Sequence, residues 1–146
     1  MATIKPFNAA MFEPTKWDTA ADKAEFANAL ARFIAEGFPQ HLFTKKFYRR
    51  LSQTFGFIAH YDEHGFWAEY FRTKGDQARF LDDLLSRNGL GFGGDPAYTF
   101  SDVEQLVATW VEAGGYYEAA VAAANVAAEA SERAELARLR DKYPEA

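Results

Sequence analysis

The chain has 146 residues, 49% of them apolar and 16% aromatic, with no Cys and a formal net charge of −5. That length fits one domain with a core that needs no disulfide staples, and the lack of Cys excludes thiol catalysis, thiolate metal ligands and thiol redox chemistry. The acidic balance opposes bulk attraction to nucleic acid, and with no apolar leader and no apolar run of about 18 residues, a cytoplasmic protein without a membrane span is expected.

Residues 1–17 show no regular period. Pro6 and Pro14 with Phe7, Phe12 and Trp17 predict an extended arm that docks its rings on the body, because free tails seldom carry so many aromatics. Asp18 or Thr19 caps a first helix, with Thr19 and Asp22 spaced as a capping-box pair. Phe26, Leu30, Phe33 and Ile34 then recur at i, i+4, i+7 and i+8 along one face, and Gly37 stops the helix. Thr44 caps a second helix over about 45–55. Its two arcs differ sharply: Phe47, Tyr48, Leu51 and Phe55 on one, Lys45, Lys46, Arg49 and Arg50 on the other.

The run from Phe55 to Phe71 mixes rings with acids and two of the three histidines. It reads as two short helices or one kinked helix over 57–71, weakened at Gly56 and Gly65 by about 1 kcal/mol each relative to Ala. Asp76 is placed to cap a helix over 77–87 with an apolar face of Phe80, Leu81, Leu84 and Leu85, ended by Asn88-Gly89. The glycine-rich stretch 89–96 is irregular and presents Leu90 and Phe92 to a partner. It follows a helix rather than a strand, which argues against a nucleotide cradle. Ser101 with Glu104 forms an S-x-x-E capping box ahead of a helix faced by Val103, Leu106, Val107, Trp110 and Val111. Gly114-Gly115 ends or kinks it. A last long helix covers 116–143, with eight Ala among residues 116–130. Its strip of Val121, Ala124 and Ala128 permits close helix approach, within the chain or in a homodimer. No segment alternates apolar and polar residues for five positions, so no strand is expected. The expectation is an all-α chain, one domain over 1–146, with an irregular bundle of five to seven helices, a ring-rich core and a long Ala-rich C-terminal helix.

Three patterns suggest chemistry. His60 and His64 bracket Glu63 as H-x-x-E-H. On a helix both imidazoles would share a face and hold Zn²⁺, with Glu63 as base and Glu129, Glu132 or Glu135 as third ligand, as in the inverted zinc proteases that the motif resembles. The plainer reading hydrogen-bonds both His among the rings and acids, and neither a catalytic residue nor a cofactor is assigned. The second pattern is the basic stripe of Lys45, Lys46, Arg49 and Arg50, extended by Arg72, Lys74 and Arg79, with Tyr48, Trp67 or Tyr70 to stack on bases. Phosphates, an acidic protein or solvent alone would each suit it. The third is the aromatic stripe of Phe57, Tyr61, Trp67, Tyr70 and Phe71, which fits core better than a ligand box.

Leu51-Ser52, Phe55-Gly-Phe-Ile-Ala-His-Tyr61 and Gly65-Phe66-Trp67 resemble a segment of small uncharacterised proteins of bacterial mobile elements, over roughly 47–85. That resemblance implies a plasmid- or phage-borne accessory protein and carries no activity with it. The leading expectation is a non-enzymatic protein that binds a host or element protein and modulates a nucleic-acid-handling complex. Its contact residues would be Lys45, Lys46, Arg49, Arg50, Trp67, Leu90 and Phe92. The alternatives are a nucleic-acid-binding protein using the same stripe and a Zn-dependent hydrolase.

Overall fold

The computed structural model describes residues 5–55, 62–86 and 95–145. Among them lie six α-helices and two short 3₁₀ turns, and no strand. The helices are α1 (Ala20–Ala35), α2 (Lys45–Phe55), α3 (Glu63–Tyr70), α4 (Lys74–Leu85), α5 (Ser101–Ala113) and α6 (Tyr116–Lys142); the 3₁₀ turns are Ala9–Met11 and Gln40–Leu42. No described helix is long and apolar enough to cross a membrane.

The first helix forms where its caps demand. The Thr19 hydroxyl accepts from the Asp22 N–H at 3.0 Å, and the Asp22 carboxylate accepts from the Thr19 N–H at 2.9 Å. Two N-terminal donors are thereby satisfied. The Thr19 backbone N–H, and after it the Thr19 hydroxyl, hold the Asp22 carboxyl below the usual aspartate range. At the other end Gly37 takes φ +86 and Phe38 takes φ +60. The Phe38 N–H donates to Phe33 O at 2.8 Å and the Gly37 N–H to Ile34 O at 3.1 Å. This is a Schellman closure, and its customary apolar contact is present as the Phe33–Phe38 ring pair, 5.3 Å between centroids.

That turn aims Phe38 into a core made largely of phenylalanines. Phe71, with no exposed surface, is its hub. Its ring meets Phe33 at 5.1 Å, Phe38 at 5.7 Å, Phe43 at 5.4 Å and Phe80 at 4.9 Å between centroids. Edge-to-face and offset pairs of this kind add to the area term of burial. The aliphatic part comes from Leu30, Leu51, Leu81, Leu84, Val103, Val107 and Val111, all buried. Gln77 is buried in this setting and donates to Phe71 O at 2.8 Å, tying α4 to the end of α3.

Several local expectations are corrected. The N-terminal arm is not extended throughout, since Ala9–Met11 form a 3₁₀ turn capped by Asn8. Phe7 and Phe12 dock as expected, and Phe7 exchanges two hydrogen bonds with Asn28, at 3.0 and 2.9 Å. Trp17 does not dock; it is 72% exposed. Thr73, not Asp76, caps α4, its hydroxyl accepting from the Asp76 N–H at 3.1 Å, so the helix starts three residues early. The Ser101–Glu104 box does not form. Phe100 occupies the N-cap position without a side-chain cap, and Ser101 is already the first helical residue.

The long last helix starts at a backbone corner. Gly115 lies at φ +71, and a Cβ on Gly114 would stand 2.5 Å from the Tyr116 ring. Tyr116 stacks on Trp110 at 4.6 Å. Tyr117 donates to an Asp82 carboxylate oxygen at 3.3 Å, and that carboxylate, ahead of burial, raises the phenol's pKa. Tyr116, Tyr117 and Ala120 pack on the core. No residue of α6 is buried, and residues 125–145 are all exposed.

Candidate interaction surface

Helix α2 forms over the expected residues, because Thr44 accepts from the Phe47 N–H at 3.1 Å and the apolar arc seats Phe47, Tyr48 and Leu51 in the core. The core side also desolvates the Tyr48 phenol, which pushes its pKa up. The basic arc faces outward, but half of it is already neutralised. Lys46 pairs with Glu25 at 3.0 Å, and Arg50 with Asp18 at 2.7 Å. Lys45 and Arg49 stay exposed. A cleft of about 240 Å³ runs between α1 and α2, with Phe26, Ala29 and Phe47 among its apolar lining and Glu25, Lys46 and Arg50 among its charges. Charges of both signs thus line this surface.

The helical premise of the zinc motif is not met. Asp62 lies between the two His at φ −80 and ψ 178, extended, and its carboxylate caps α3 by accepting from the Gly65 N–H at 2.7 Å. The helix therefore begins at Glu63 and includes His64. His60 itself lies outside the described residues. The His64 side chain is 71% exposed, 3.7 Å from Glu63 and 3.4 Å from the Gln40 amide. Of the proposed third ligands, Glu129 pairs with Arg133 and Glu135 with Arg138, the latter ion pair lowering the Glu135 pKa. Among the described residues no three His, Asp or Glu side chains gather as a metal site.

Trp67 sits on α3. It is half-buried against the core, and its indole N–H donates to Phe38 O at 2.9 Å, holding α3 against the Schellman turn. Leu90 and Phe92 lie outside the described residues, as do Phe57 and Tyr61.

Sequence reasoning missed Lys23. Its ammonium is fully buried and donates to Pro96 O at 2.8 Å, Thr99 O at 2.9 Å and the Asp102 carboxylate at 3.0 Å. Asp102 also accepts from the Glu13 N–H at 3.1 Å. The Phe100 ring stands 5.3 Å from the Lys23 ammonium and 5.5 Å from the Arg50 guanidinium. One polar knot thus joins the N-terminal arm, α1, α2 and the entry to α5. A signal was present: Lys23 falls in step with Ala27, Leu30 and Ile34 on the buried face of α1. A buried ammonium needs partners, and the distant Asp102 could not be read from local spacing.

The free part of α6 is the most conspicuous surface. Val126, Leu136, Leu139 and Tyr143 are 68%, 47%, 38% and 48% exposed. Two intrahelical ion pairs, Glu129–Arg133 and Glu135–Arg138, stiffen it. Comparison with protein-family models, curated proteins and solved structures gives no match.

Proposed function

We propose that this chain is a non-enzymatic, cytoplasmic protein-binding accessory protein of a mobile element that modulates a host nucleic-acid-handling complex, with the free half of α6 as its docking arm. The observation that carries this reading is the exposure of every residue from 125 to 145 in a helix that ends at Lys142. Helices in proteins draw most of their stability from packing one face on a core. Here a segment of about 27 Å extends past the last core contact while keeping apolar side chains on its surface. A helix face of that sort suits a groove or a second helix. The mobile-element part rests on the sequence resemblance alone. The nucleic-acid reading has weaker support, because Glu25 and Asp18 already neutralise Lys46 and Arg50.

The test is affinity capture from nuclease-treated bacterial lysate, comparing the full chain with one ending at Ala130. A protein held by the full chain and lost from the shortened one is expected. Equal capture by both chains would overturn the docking-arm reading. Recovery of nuclease-sensitive nucleic acid alone would favour the α2 stripe.

A further inference from the structure

We infer that the Gly114-Gly115 corner is a hinge through which two copies of the chain exchange α6. In the exchanged dimer α5 and α6 join into one helix from Ser101 to Lys142, and each α6 packs on the α4 of the other copy. This concerns the core-bound end of α6 and does not depend on what its free end binds. One residue makes the corner. Gly114 sits at φ −83 and ψ −5, still right-handed, and Gly115, at φ 71 and ψ 18, leaves the helical region. Returning Gly115 to helical dihedrals makes α5 and α6 continuous. The Tyr116, Tyr117 and Glu118 N–H groups then donate to Glu112, Ala113 and Gly114 O, the i→i−4 pattern of a helix. None of those three bonds is made at the corner, and no side chain caps α6 there. The bend alone demands both glycines. Gly115 carries the left-handed φ, and a Cβ on Gly114 would stand 2.5 Å from the Tyr116 ring. A straight helix has right-handed dihedrals at both positions and favours Ala over Gly at each.

What straightening uncovers names the occupant. Helix α6 packs chiefly on α4, with Tyr117 bonded to Asp82 and with Tyr116, Tyr117 and Ala120 against the core. Straightening carries α6 off its own body and bares that face of α4. The surface that fits the bared face is α6 itself, and a second opened copy supplies it. Each contact between α4 and α6 is remade between copies, so no new complementary surface is needed. Exchange of an identical element is a low-cost route to a two-fold dimer. Two straight helices that cross near residues 114 and 115 leave the two bodies in opposite angles of the cross, clear of each other. Since no residue of α6 is buried, its departure breaks contacts at the edge of the phenylalanine core and not within it.

The full chain and its Gly114→Ala/Gly115→Ala variant, each refolded from urea at low and at high protein concentration and sized by sedimentation, test this. The wild type is monomeric when refolded dilute and yields a slowly dissociating dimer when refolded concentrated. The double variant raises the dimer association constant by about a hundredfold, about tenfold for each of the two corners that a dimer straightens. Gly115→Asn, which tolerates the left-handed region, stays close to the wild type. The chain has no Cys, so introduced thiols report the exchange directly. Copies with Asp82→Cys are refolded together with copies with Tyr117→Cys, in the wild-type and the double-variant backgrounds, and treated with a short bis-maleimide. A link between copies is expected, because exchange sets position 117 of one copy beside position 82 of the other. Chains that stay monomeric at every concentration overturn the inference, and so does a dimer without that link. If the double variant does not refold, the link in the concentrated wild type decides.

Discussion

Replacing Lys23 with Met removes a buried charge while keeping most of its volume. The ammonium has no exposed surface, and its partner Asp102 keeps only 15% side-chain exposure. After the change that carboxylate stays largely buried without its ion-pair partner, hydrogen-bonded by backbone N–H donors such as Glu13, and Pro96 O and Thr99 O each lose a donor. Breaking a buried pair from one side costs about 3–5 kcal/mol. Against an ordinary stability of about 5–15 kcal/mol, that is a large share. At roughly 3 °C per kcal/mol for a domain of this size, the midpoint falls by about 10 °C. Thermal unfolding followed by Trp fluorescence reads the midpoint and urea unfolding the free energy, because Trp67 and Trp110 are part-buried against the core. Adding Asp102→Leu removes the second charge and recovers part of the loss, with a coupling of about 1.5–3 kcal/mol. Recovery stays partial because Pro96 O and Thr99 O still lack the ammonium. A loss below about 1 kcal/mol for Lys23→Met, or strict additivity in the double variant, would refute the argument that a desolvated ion pair fastens these elements.

Three further outcomes follow from the same geometry. Ending the chain at Ala130 leaves the urea midpoint within about 0.5 kcal/mol of the full chain, since the removed residues touch no core; a larger drop measured by the same unfolding assay contradicts their description as free. Gly115→Ala forces a Cβ into φ +71, and we expect a loss of about 1–2 kcal/mol in chemical unfolding. Asp22 has a folded-state pKa lowered by Thr19, so the unfolded chain binds the proton first on acidification. Its contribution is full above the ordinary aspartate pKa and disappears as pH falls through the lower folded value. The difference in urea midpoint between wild type and Asp22→Asn should therefore shrink across that acidic window, and a difference that grows would reverse the sign of the argument.

What was legible in the chain follows the range of the interactions involved. Helix α2 could be read to the residue, because a hydroxyl cap at Thr44 and a two-faced period are both local. The same holds for the Thr19–Asp22 box. The Ser101–Glu104 pair has an equally good local pattern and fails for a tertiary reason. The Phe100 ring lies between Lys23 and Arg50 and against Phe26, and with it in place Phe100 takes the N-cap position. The Glu104 N–H donates to Phe100 O at 3.0 Å, which puts Ser101 inside the first turn. The start of α4 was misjudged because Thr73 and Asp76 are both cap-forming residues, and the Thr73 hydroxyl reaches the Asp76 N–H. The ring-rich core was legible as composition, but the hub role of Phe71 was not, since it is made by residues from four other parts of the chain. On the candidate surface, the outward face of α2 was readable and its neutralisation by Asp18 and Glu25 was not. In the H-x-x-E-H string, the capping role of Asp62 at the start of α3 was not readable from spacing.

The joint at Gly114-Gly115 acts as a lever bearing. From Ala124 to Lys142 the helix reaches about 27 Å beyond the body, so a tilt of about 10° at its base moves the tip by about 5 Å. The aim of that lever is set by the packing of α6 on α4, by the Tyr117–Asp82 hydrogen bond and by the Trp110–Tyr116 stack, beside which a glycine's missing methyl group leaves the Tyr116 ring its place. A single carbon added at Gly114 would displace the Tyr116 ring from its stack at the base of that lever. Position 114 thus bears on the footing of a surface that it never touches.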